Sequence, residues 1–258
     1  MACGHQLNRG VRRKNQRLSI ILSQLKPIGF LGTVCLFGVA AVLLWVATHL
    51  AIPYFSSQTS VESIVWWFIF GGFGVLVPLV VIGFFLLMSE GAHFDRSLIT
   101  SRLRFRRMSA GDWYWGLGGL LAVGIFGALL MQGIKFAFGD VSLQPSFMSF
   151  KPLSSGRYWI LAAWLPFWIL NIMGEEFLWR GVLLPRQEIA FGKWAWLVNG
   201  SGWLLFHIAF GRMLLITLLP IVLILPFAAQ HQRNSWVGVL IHAGLNGPAF
   251  IAIALGLK

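Results

Sequence analysis

The chain has 258 residues, 57% of them hydrophobic and 11% charged, with 20 Lys+Arg against 8 Asp+Glu for a net charge of +12. A soluble domain of this size cannot hide so much apolar surface, and a disordered chain would not carry 13 Trp and 22 Phe. The composition is that of an all-α integral membrane protein.

Uncharged apolar runs mark the expected spans: Ile28–Leu50, Ser63–Ser89, Trp113–Gly133, Tyr158–Gly174 continuing to about Leu184, Trp194–Gly211, Met213–Gln230 and Asn234–Leu257. Crossing the hydrocarbon takes about 20 helical residues, so about seven transmembrane helices are expected. The fifth and sixth are short and closely joined, and Pro220 and Pro226 are expected to kink the sixth. The first run has no small-residue cleavage site after it and reads as a retained span. Residues 1–27 form a basic cytoplasmic tail, and residues 28–258 a single transmembrane domain without internal repeats. Cys3 and Cys35 are placed too differently for a structural disulfide.

Tyr54, Tyr114 and Tyr158, with Trp66, Trp113, Trp115, Trp159, Trp194 and Trp236, fall near span ends, as interfacial anchors do. Trp45, Trp164 and Trp168 lie mid-span and are expected in the core. Six basic residues in the tail (Arg9, Arg12, Arg13, Lys14, Arg17, Lys26), five in the second-to-third loop (Arg96, Arg102, Arg104, Arg106, Arg107) and Arg186, Lys193 and Arg233 make 14 on one side. Lys135, Lys151, Arg157, Arg212 and Lys258 make five on the other. That asymmetry predicts a cytoplasmic amino terminus and accounts for the charge through topology and anionic headgroups, not nucleic acid. The loop Arg96–Arg107 is the one stretch suited to an amphipathic surface helix. Gly116–Gly127 suggests close helix packing.

Ionisable groups within spans are costly and mark candidate sites. They are Glu175, Glu176 and Arg180 in the fourth span, His207 in the fifth, and His242 with Asn246 in the seventh. His49, at a span end, reads as interfacial. Glu176 and Arg180 stand at i, i+4 and can pair. Glu175 points about 100° away from Glu176, which leaves it free to take a proton from water with help from His207. His242 and Asn246 share a helix face and can donate hydrogen bonds to an oxyanion. Gly238, one turn before His242, admits a close approach by another backbone or a substrate. Glu175, His207 and His242 are also a conceivable zinc set, although no local His-Glu-x-x-His spacing favours it. By depth, Glu175 lies about 14 Å and His207 about 20 Å from the cytoplasmic face. The difference closes if the fifth span begins nearer Asn199.

At these residues the chain resembles the intramembrane CAAX-type endopeptidases and bacteriocin-processing enzymes, also called the abortive-infection membrane protease family. Glu175-Glu176-Phe177-Leu178-Trp179-Arg180 matches its Glu-Glu-x-x-x-Arg motif. Trp203-Leu204-Leu205-Phe206-His207 matches Phe-x-x-x-His, with Trp203 in place of the usual Phe, an aromatic exchange expected to preserve packing and to change the shape of the pocket. His242-Ala243-Gly244-Leu245-Asn246 matches His-x-x-x-Asn. The resemblance covers about residues 157–250. It implies a peptidase with Glu175 as general base, His207 on the water, His242 and Asn246 as the oxyanion hole, and Glu176 and Arg180 in supporting roles. It further implies a peptide or lipid-modified protein substrate, with membrane lipid around the chain, and it leaves open whether a divalent metal such as zinc is needed. The expected location is a bacterial inner membrane. A non-proteolytic immunity or binding factor, or a small transporter built on the same polar pocket, is the alternative.

Overall fold

The computed structural model describes residues 25–90, 96–142 and 144–257, with the side chains of 96 and 97 excepted. Cys3 and the basic residues of the tail up to Arg17 lie outside the described residues, as does Lys258. Among the described residues the chain is helical and contains no strand. Six helical stretches are long and apolar enough to cross a membrane. We label the helices α1 (Phe30–Gln58), α2 (Ser63–Met88), α3 (Arg96–Arg102), α4 (Ala110–Phe138), α5 (159–191), α6 (Ala195–Phe206), α7 (Arg212–Gln232) and α8 (Ser235–Ala254). Trp159–Phe210, counted among the six as one stretch of 52 residues, contains both α5 and α6. Gly192, at φ 56°, takes a left-handed conformation that favours glycine and reverses the chain there. The two arms run antiparallel: Asn199 on α6 donates to the side chain of Gln187 and to the carbonyl of Trp179 on α5. Seven long rods result, and α5, α6 and α8 carry the three motifs.

The rods are longer than the uncharged runs suggest. α1 continues to Gln58 through π-helical turns at Ala47–Ala51. α4 begins at a capping box in which Ser109 and Asp112 satisfy each other's amides. α5 does not end near Leu184 but continues as the helix Leu184–Phe191. This corrects the depth argument: the fourth rod runs on, and α6 starts at Ala195, not near Asn199. α7 passes through Pro220 and Pro226 as one helix.

Large apolar side chains cover the outside, among them Leu31, Phe73, Phe85, Leu121, Phe126 and Phe136. Water would not tolerate that belt, and lipid does. The protein is therefore an integral, multi-pass membrane protein. Tyr54, Tyr114, Tyr158, Trp113, Trp159, Trp194 and Trp236 are all exposed. Trp164 is buried and stacks on Phe250. Trp45 is 44% exposed and stacks on His49; it faces outward, contrary to the core position expected of it, because the adjacent Leu44 takes the inward side of the helix. Gly116 and Gly119 do admit α8, where a Cβ would stand 2.5 Å from Leu240 and 2.7 Å from Ile241, whereas Gly118, Gly124 and Gly127 touch nothing. A Cβ at Gly200 would lie 2.0 Å from the carbonyl oxygen of Val222, so α6 and α7 meet backbone to backbone. Cys35 is free and exposed.

The basic residues gather at one end of the bundle. Arg102 and Arg186 both hold the buried carboxylate of Glu90, while Arg104 pairs with Glu188 and Arg106 with Asp112. α3 is therefore not a loose surface helix. Arg102 is buried and also donates to the carbonyls of Gly181 and Val182, where α5 is π-helical. Burial pulls the Arg102 guanidinium below the usual arginine range, against the opposing pull of Glu90. At the opposite end Arg157 pairs with Glu62.

Candidate active site

The site is built around the point where α5 changes from α- to π-helical geometry. Trp159–Glu176 is α-helical and Phe177–Leu183 π-helical, a departure that occurs often at functional positions. Adjacent residues still diverge around the helix, so the two carboxylates face different partners. Both are buried.

Glu175 is held by three neutral N–H groups. The amide of Asn171 donates to Oε1 at 2.7 Å, and the indoles of Trp179 and Trp203 donate to Oε2 at 3.3 and 2.5 Å. Expecting this carboxylate to be free was wrong. A carboxylate offers about four acceptor positions, and these three contacts leave one for a further donor such as water. Trp203 also does more than pack, as its sequence position had suggested. Its ring face lies 4.0 Å from the guanidinium carbon of Arg180, and its edge approaches His207 and His242.

Glu176 turns to the other side. Its Oε1 accepts from Arg180 at 3.1 Å, as the i, i+4 spacing predicts, and from Nδ1 of His242 at 3.0 Å. Gly238 admits this arrangement: a Cβ there would stand 2.3 Å from Glu176 Oε2. The close approach expected at Gly238 is thus made by a side chain of α5. Arg180 is buried; beyond Glu176 its guanidinium lies over the face of Trp203, while Nε and one terminal nitrogen have no hydrogen-bond partner among the described residues.

His207 begins the short 3₁₀ turn His207–Phe210 that ends α6. Its Nδ1 donates to the carbonyl of Trp203 at 2.8 Å. A carbonyl only accepts, so Nδ1 carries the proton and the neutral ring keeps its lone pair on Nε2. Asn246, one turn beyond His242, reaches Asn171 at 3.4 Å.

Glu175, His207, His242 and Asn246 all line one cavity of about 370 Å³, together with Asn171 and Trp203. The rest of its wall is largely aliphatic and aromatic, including Trp67, Phe167 and Phe210. Four polar groups from three helices converging in an apolar cavity can bind a carbonyl-bearing substrate and a water together. Glu176 and Arg180 lie behind this wall.

Residues 157–247 match the family model described as type II CAAX prenyl endopeptidase Rce1-like. That stretch is similar to the CAAX-type membrane proteases. It runs from the start of α5 into α8 and so contains Glu175, His207, His242 and Asn246. No curated protein and no solved structure matches the chain.

The family resemblance raises the question of zinc. Among the described residues no three His, Cys, Asp or Glu side chains gather closely enough to hold an ion. Glu175, His207 and His242, the candidate ligands, line the same cavity, and Glu175 already accepts three N–H groups.

Asn171 and Trp179 escaped the sequence reading, yet a signal for them existed. Asn171, Glu175 and Trp179 stand at i, i+4 and i+8, a polar stripe on an apolar helix. No local spacing points to Trp203 as the partner of Glu175, because that contact crosses 28 residues.

Proposed function

We propose that this protein is an intramembrane endopeptidase of the CAAX-processing type, acting on a peptide or lipid-modified protein substrate. The convergence of Glu175, His207, His242 and Asn246 on one cavity carries this proposal. Water bound at the open position of Glu175 gives its proton to that carboxylate as its oxygen attacks the scissile carbonyl carbon. The carbon–oxygen bond forms, and the carbonyl π electrons move to an oxyanion. His207, with a lone pair on Nε2, orients the water. Asn246 donates to the oxyanion, joined by His242 when its Nε2 carries a proton. Collapse then breaks the carbon–nitrogen bond, and the proton held by Glu175 passes to the leaving amine.

Cleavage of a peptide library by the purified protein in detergent tests this. Glu175→Gln should remain folded and lose about 10²–10⁴ in turnover, the range for a removed acid–base group. Full turnover by this variant would reject Glu175 as the base. Absence of hydrolysis by the unaltered protein, with its cellular effect kept in Glu175→Gln, would favour a binding or immunity role.

A further inference from the structure

The contact between Glu176 and His242 bears on how His242 can act. Nδ1 of His242 stands 3.0 Å from Glu176 Oε1, and the same oxygen is 3.1 Å from a guanidinium nitrogen of Arg180. All three side chains are buried. A protonated Glu176 would leave Arg180 as an uncompensated buried charge, which is strongly unfavourable. Glu176 is therefore the carboxylate, and a carboxylate only accepts. The hydrogen between Glu176 and His242 must then sit on Nδ1. The indole of Trp203, edge-on at 5.1 Å and 77° to the ring, restrains it from the side. The face of α8 that carries His242 can come this close only because Gly238 lacks a side chain.

We infer that Glu176 is a positioning residue that holds a hydrogen of His242 on Nδ1, so that in the neutral ring Nε2 is left as an acceptor toward the cavity and becomes a donor only after taking up a proton. It rests on the peptidase function proposed above for what the ring does in turnover, though not for how the ring is held. Asn246 is then the permanent donor to the oxyanion, and His242 a conditional one. Glu176 belongs to the reaction through His242, beyond its ion pair with Arg180.

Nitrogen-15 NMR of histidine-labelled protein in detergent, with the His242 signals identified by their loss in His242→Gln, tests the holding directly and needs no activity. Nδ1-protonated neutral His242 is expected, and an Nε2-protonated ring would overturn the inference. Glu176→Gln and Gly238→Ala test the consequence. The first removes the charge, and the second pushes the carboxylate aside while keeping it. Both should change the His242 tautomer signal and lower kcat by about 10²–10⁴ with KM nearly unchanged, as when a histidine loses the carboxylate that fixes its tautomer. Lower melting temperature with unchanged kcat and unchanged tautomer would leave Glu176 purely structural and would overturn the proposal. Should Glu176→Gln fail to fold, Gly238→Ala and the unaltered protein's spectrum still decide it. No hydrolysis by the unaltered protein refutes the peptidase function alone, since the spectrum is read separately.

Discussion

The indole N–H of Trp203 lies 2.5 Å from Oε2 of Glu175, joining α6 to α5 at the centre of the cavity. The same ring covers Arg180 with its face, so one side chain satisfies an anion with its edge and a cation with its π surface. Phenylalanine, the residue the family more often has at this point, could perform only the second task.

Trp203→Phe should therefore destabilise the protein while keeping the fold. Loss of a hydrogen bond to a charged acceptor costs about 1.5–3 kcal/mol. Thermal unfolding in detergent would register it, and an unchanged melting temperature would mean that the bond contributes nothing net.

Asn246→Ala should lower the maximal rate by about two to three orders of magnitude and leave KM nearly unchanged, since an oxyanion donor acts in the transition state. A change confined to KM would place Asn246 in ground-state binding instead.

Arg102→Met should be among the most destabilising substitutions away from the cavity. Glu90 would keep Arg186 but lose its bidentate partner, and the carbonyls of Gly181 and Val182 would lose their donor. Removing one member of a buried pair costs about 3–5 kcal/mol. Lys135→Met breaks a pair exposed at both ends and should leave the melting temperature nearly in place. Equal effects from the two would refute the distinction.

Tags in the loop around Arg107 should be cytoplasmic and tags near Gln144 external, because the basic residues at the Arg102–Arg186 end outnumber those at the other. Cysteine accessibility from the two sides of the membrane checks this, and reversed sidedness would sink the orientation.

Local pattern alone determined that the chain crosses a membrane several times, which helices carry the polar motifs, and that Glu176 pairs with Arg180. Each of these depends on composition or on residues within one helical turn, where spacing fixes geometry. Asn171 and Trp179 lay within the same reach and could have been read from their spacing to Glu175. The tertiary structure decided the rest. Whether Glu175 was free depended on where α6 delivers Trp203, and the role of Glu176 depended on α8 approaching at Gly238. The extension of α5 to Phe191 and the reversal at Gly192 set the level at which these helices meet. Contacts of this kind arise from packing between distant segments, and no periodicity along one helix encodes which side chain of another will face it.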